Sequence, residues 1–198
     1  MSTGYTTQND LLLNNLIEFY KHDNNLDNML KIITGESKIS LRIVDWFATN
    51  YAKKYYTLYN IELPDKIDAE KTDQTSAKVV KRFKVYIDYK LKLKAYSKKR
   101  FDPFCRWERI SIPYKNGTFI ETTIGQLNFF KWTLENKVIK FIEENYDEIE
   151  QDMNSRNSTS KKKELVDNSK TRKKREELSI SASKSIKKEK VEIVVQFN

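Results

Sequence analysis

The chain has 198 residues, enough for one domain and short for two. It carries 37 Lys and Arg against 28 acids, with one His and one Cys, which excludes an intramolecular disulfide and leaves no Cys/His set for a structural zinc site. Hydrophobic content is only 38%, but eleven Tyr, ten Phe and three Trp bury large areas, so a core built from rings is attainable.

The opening residues MSTGYTTQND contain neither a basic leader nor an apolar run, and no stretch approaches the apolar length that spans a bilayer. The expectation is a soluble, intracellular protein without a membrane partner. A first helix is predicted from about Gln8 to Tyr20, with Leu12, Leu13, Leu16, Ile17 and Tyr20 as its apolar stripe and Thr7 or Asn9 as its cap. The only histidine, His22, lies in a polar corner remote from any catalytic partner. A second helix is expected from Leu26 to Ile33, stopped by Gly35. A third follows Ser40, with Leu41, Val44, Phe47, Ala48, Tyr51 and Tyr55 on one face. Residues 60–77, rich in small polar and charged side chains and broken by Pro64, read as an exposed loop.

The centre of the chain holds its densest mixture of positive charge and aromatic rings. Lys78 to Arg109 contains twelve Lys/Arg and three acids, a net +9 that equals the net charge of the whole chain. From Phe83 the apolar residues alternate with Lys as in a half-buried strand, yet Val80, Phe83, Ile87 and Leu91 also fit a helix. Length and the Lys/Leu/Ala run toward Ala95 favour the helix, and Asp102-Pro103 ends it. Arg109–Tyr114 and Thr118–Thr122, separated by Lys115-Asn116-Gly117, predict a β-hairpin. A long core helix is then expected from Thr123, with Gln126 at capping-box spacing, to about Ile149. Its end, Glu143 to Asp152, is acidic and calls for a basic partner, with the central basic stretch as the candidate.

The predicted architecture is α+β, mainly α: a small helical domain with one hairpin over residues 1–152, followed by a disordered basic tail over 153–198. That tail is polar as far as Glu192 and carries basic runs at Lys161, Lys162, Lys163 and at Arg172, Lys173, Lys174, Arg175. These suit nuclear import, nonspecific attraction to nucleic acid, or plain solubility. Val191–Phe197 is an apolar, β-prone end suited to docking on the domain or on a partner.

SLRIVDWFATNYAKK at 40–54, AYSKKRFDPFCRWERI at 95–110 and ETTIGQLNFFKWTLENKVIKFI at 121–142 resemble a family of uncharacterised proteins of nucleocytoplasmic large DNA viruses, notably the mimivirus and phycodnavirus groups. The resemblance covers roughly residues 40–145 and carries no chemistry to transfer. It implies a setting: a protein of an infected cell, located in a cytoplasmic virus factory or in the virion, with the nucleus as a further possibility.

No catalytic constellation is legible. Glycines are isolated, so no phosphate loop or nucleophile elbow exists. Glu143, Glu144, Asp147 and Glu148 read as a solvated face rather than metal ligands, and Cys105, flanked by Phe104 and Trp107, reads as buried. The expectation is therefore a non-enzymatic protein without a cofactor or metal. Lys90, Lys94, Lys98, Lys99, Arg100, Arg106, Arg109 and Lys115 are candidate phosphate contacts, with Tyr96 and Trp107 as stacking platforms for bases in DNA or RNA. Lys92 belongs to the same run, and Gln126, Asn128 and Lys131 lie near a helix start suited to phosphate. The competing readings are a lysine-rich solvated face and a surface for a viral protein partner, as in a minor virion or assembly protein.

Overall fold

The computed structural model describes residues 7–62, 80–164 and 187–190. Helices dominate, and the strands form two small antiparallel sheets, in keeping with the predicted mainly helical α+β class. Helix α1 (Gln8–Lys21) starts at Thr7, whose hydroxyl accepts from the Asp10 N–H while the Asp10 carboxylate accepts from the Thr7 N–H, a closed capping box. Tyr20, buried near its end, donates to the Leu127 carbonyl at 2.7 Å and so ties α1 to the centre of the molecule. Helix α2 (Asn25–Thr34) buries Met29, Leu30, Ile32 and Ile33 and stops at Gly35, whose φ of +81° is the left-handed cap that glycine adopts most readily.

Ser40 caps α3 (Leu41–Trp46) through the Ile43 N–H. The helix continues through a π-helical turn, Phe47–Tyr51, into α4 (Ala52–Lys54). The widened turn lies where the Thr49 hydroxyl takes the Asp45 carbonyl at 2.7 Å. Leu41, Val44, Phe47, Ala48 and Tyr51 are buried as their spacing predicts. Tyr55, expected on the same face, is instead exposed, because the helix has ended before it.

The ambiguous central stretch is both a strand and a helix. Strand β2 (Val80–Lys84) pairs with β1 (Leu58–Glu62), burying Phe83 and Ile61, and α5 (Val85–Arg100) follows directly. This pairing is a second antiparallel ribbon beyond the one predicted hairpin. It also moves Asn60–Glu62 out of the predicted loop, the rest of which lies outside the described residues. Helix α5 is itself interrupted: Ser97, at φ +60° and ψ 169°, is not helical, so Lys98–Arg100 form a separate turn.

Strands β3 (Arg109–Pro113) and β4 (Thr118–Thr123) make the expected hairpin, closed by a 3-10 turn, Lys115–Gly117, in which Gly117 has φ +73°. The predicted long helix is three: α6 (Ile124–Glu135), α7 (Val138–Glu144) and α8 (Tyr146–Glu164). Asn136 and Asn145 break it, each side chain donating to a carbonyl of the turn before, Trp132 at 2.8 Å and Phe141 at 2.9 Å. The breaks re-aim Val138, Ile142 and Ile149, all fully buried. They also reverse the electrostatics, since Asp147 and Glu148 now open α8, where the helix dipole favours acids.

The partners of that acidic segment come from Lys38, Lys140 and the stretch 46–55 rather than from the central basic stretch. Tyr51 donates to Glu148, and Asp152 accepts from the Trp46 ring N–H at 3.0 Å, from Lys54 and from Tyr55. Helix α8 runs past Asp152 to Glu164, and β5 (Lys187–Lys190) pairs antiparallel with β4 as a third strand. Two pieces of the expected tail are thus ordered elements. The remainder, including Arg172, Lys173, Lys174, Arg175 and Val191–Phe197, lies outside the described residues.

Gly125, in the first turn of α6, sits where the chain passes closest to itself. A Cβ there would lie 2.8 Å from Cys105 Cβ, 3.0 Å from its Sγ and 3.0 Å from the Lys99 carbonyl oxygen, which is main chain and cannot rotate aside. Alanine normally gains about 1 kcal/mol over glycine inside a helix. Here Gly125→Ala is expected to destabilise the protein by about 1–3 kcal/mol, read as a lower urea midpoint with an unchanged denaturant slope.

Candidate nucleic-acid interface

The central basic stretch is positioned by a buried polar anchor at the start of α6. Thr122, Thr123 and Gln126 are fully buried and Asn128 nearly so. Thr123 caps the helix by accepting from the Gln126 N–H at 3.2 Å, and its hydroxyl donates to the Cys105 carbonyl. The Gln126 amide donates to the Pro103 carbonyl at 3.3 Å and accepts from Thr122. Asn128 donates to the Arg100 carbonyl at 2.8 Å, and the Cys105 thiol points at the Lys99 carbonyl. These bonds hold residues 99–105 across α6, and Phe101 fills the space beneath, packed against Phe129, Trp132 and Tyr89. Cys105 is buried, as its neighbours predict. Gln126 and Asn128 are spent on this anchor instead of facing a ligand.

With the segment pinned, the predicted contact residues separate. Tyr96 and Arg100 enter a cleft of about 580 Å³ that α1, α5 and α6 enclose. Lys92 lines the same wall, Lys131 rises from α6, and Leu11 lines the α1 side with 60% of its surface exposed. Lys131 is steadied by Asn15 and lies 3.7 Å from Glu135, the one carboxylate lining the cleft. Three cations and one acid therefore converge beside an aromatic ring. Lys98 and Lys99 are exposed on the turn that leads into Arg100.

The other candidates lie elsewhere. Lys90 and Lys94 occupy the outer face of α5, around the exposed Ile87 and Leu91. Arg109 is paired with Glu121 at 3.3 Å, and Lys115 with Asp27 of α2, so both are tied into the framework. Arg106 and Trp107 are exposed on the segment before β3, Trp107 at 73%. The side chains of Lys161, Lys162 and Lys163 lie outside the described residues. Sequence reasoning missed the contribution of α1 altogether. Its signal was Leu11, an apolar residue outside the predicted stripe of the first helix.

One electrostatic feature borders the turn. Asp45, on α3, and Asp102, just past the turn, both hold their protons above the ordinary carboxylate range. Burial and then the Asp102 charge push the Asp45 carboxyl up to about 7, with Lys98 pulling it partly back. Burial also raises Asp102, against its bond from the Phe104 N–H and the Lys98 charge. The adjacent Tyr89 hydroxyl is pushed up to about 12, by burial first and by both carboxylates next. Among the described residues no three His, Cys, Asp or Glu side chains gather as metal ligands, and no helix is long and apolar enough to cross a membrane.

The chain belongs to the family of unknown function DUF7197, whose model matches residues 3–196. It is 44% identical over 146 residues to the uncharacterized protein L507 of Acanthamoeba polyphaga mimivirus, an alignment covering 71% of this chain and 51% of that protein. The chain thus spans about half the length of the curated relative it matches. The giant-virus family inferred from the three sequence stretches is the one found. No solved structure matches the chain at a significant level.

The raised Asp45 carboxyl makes stability depend on pH with a definite sign. A carboxyl that holds its proton more tightly folded than unfolded gives full stability below its ordinary value of 3.8, lost as pH rises through about 7. The total loss is of order 4 kcal/mol at most. Denaturant titrations are expected to show stability falling between about pH 4 and pH 7, and Asp45→Asn should flatten that fall.

Proposed function

We propose that this giant-virus protein is a non-enzymatic nucleic-acid-associated protein that holds the phosphate backbone with the cleft between α1, α5 and α6 and the turn Lys98–Arg100. The observation that carries the reading is the convergence of Lys92, Arg100 and Lys131 on Tyr96, with Glu135 as the only acid among them. Partly exposed cations beside a ring, continued by exposed Lys98 and Lys99, suit backbone neutralisation with stacking, and a virus factory or virion is the matching location. The ordered anchor beneath the turn supports it, because phosphate-binding side chains gain from a backbone that needs no further ordering.

A second reading, a virion or assembly protein working through protein contacts, has its own observation. Ile87 and Leu91 stand exposed one turn apart on α5 and are flanked by Lys90 and Lys94. The two readings differ in salt response, because apolar docking is far less salt-sensitive than counterion release.

Full-length protein titrated into labelled DNA at rising salt tests the proposal. The logarithm of affinity is expected to fall linearly with the logarithm of salt. Changing Lys98, Lys99 and Arg100 together to alanine should weaken binding on every sequence and flatten that slope by about 1 per lost phosphate contact. Unaltered binding and slope in the triple variant would remove the turn from the site.

A further inference from the structure

We infer that the cleft takes an unpaired strand, with one base lodged between Tyr96 and the α1 wall, rather than the backbone of an intact duplex. The inference rests on the nucleic-acid reading above and adds the substrate class. Three features of the cleft carry it.

The first is the pairing of walls. Tyr96, on α5, faces the cleft half-buried and is backed by the Phe101 ring, with centroids 6.4 Å apart and planes within 25°. Leu11, on α1, presents a largely exposed aliphatic surface to the same cleft. An aromatic wall and an apolar wall suit the two faces of a base, and those faces are available only outside the stack of a duplex. Binding to a duplex backbone alone needs only cations on an open surface and no such slot.

The second is size. About 580 Å³ lies within the range of cavities that enclose small ligands, so it suits a nucleotide. The third is the placement of charge. Lys92 and Arg100 sit on the same wall as Tyr96, one turn before it and four residues after it, and Lys131 rises from α6. A base seated on Tyr96 therefore has Lys92 of α5 before it and Arg100 of the separate turn after it, with exposed Lys98 and Lys99 on the same turn. Every base has a stacking face, so the site is expected to tolerate sequence.

The test compares a labelled oligothymidylate with a labelled duplex of equal length, using the full chain at fixed salt. The single strand is expected to bind about tenfold more tightly, as one stacked base would give. Tyr96→Phe keeps the ring and should keep that preference. Tyr96→Leu keeps the apolar volume over Phe101 and should lower single-strand affinity about tenfold with duplex affinity unchanged. Thermal unfolding of each variant shows that the fold is intact, and Leu11→Ser, an uncharged surface change on the α1 side of the cleft, should reproduce the loss. Equal binding of the two probes, with Tyr96→Leu silent and the Lys98/Lys99/Arg100 variant still weakened, would overturn this inference and leave the backbone reading standing. Binding of neither probe would overturn both.

Discussion

The arrangement depends on one buried polar contact surface: the first turn of α6 bonded to the main chain of residues 99–105. Thr122, Thr123, Gln126 and Asn128 have essentially no access to water, so each hydrogen bond they lacked would cost about 1–3 kcal/mol. Their partners are the carbonyls of Arg100, Pro103 and Cys105, which are fixed in position only when the segment lies in this one path. Gly125 completes the constraint, since its missing side chain is what lets that path run so close. A hydrophobic contact tolerates sliding, whereas this set of directed bonds does not.

Everything distinctive about the basic stretch follows from that anchoring. The chain must leave α5 and cross α6, and it does so through the left-handed backbone of Ser97, a conformation that a non-glycine residue holds only when its surroundings over-determine it. Lys98, Lys99 and Arg100 are thereby lifted out of the helix that carries Lys90 and Lys94. A straight helix would have spread these cations around its circumference. The turn instead directs Arg100 into the cleft with Tyr96, and brings Lys98 within range of Asp45 and Asp102. The two carboxylates, close together and shielded from water, then share too little solvation for both to ionise readily.

What the sequence disclosed and what it withheld divide along physical lines. Caps at Thr7, Ser40 and Thr123, the stop at Gly35 and the hairpin at Gly117 were legible because each is set by side-chain chemistry within a few residues. The strand β2 was hidden because Val80 and Phe83 keep helical spacing with Ile87 and Leu91, while the alternating run that suggested a strand lies in α5, and only pairing with the distant β1 decides. The breaks at Asn136 and Asn145 were hidden because the apolar residues on either side keep helical spacing across them. Thr123 and Gln126 had capping-box spacing, but Gln126 turns to Pro103, a partner 23 residues away that no local pattern contains. The candidate site was half legible: Tyr96 and Arg100 came from composition, while Leu11 and the shape of the cleft arise from α1 docking on α6 through Tyr20.

Net charge marks a region of the chain without saying which cations are available. Arg109 and Lys115 belong to the same basic run and are matched by Glu121 and Asp27, so they hold the hairpin to itself and to α2. Lys54, outside the run, is spent on Asp152 and fastens α4 to α8. Such pairs bring two charges to zero locally and leave little field at a distance. Lys131 is likewise held by Asn15 and paired with Glu135, while Lys92 and Arg100 share the cleft with no further carboxylate, so their charges add there instead of cancelling. A concave wall of low dielectric concentrates the field that remains. The field in the cleft thus comes chiefly from Lys92 and Arg100, and the framework's own bond to the Arg100 carbonyl fixes the backbone from which Arg100 projects.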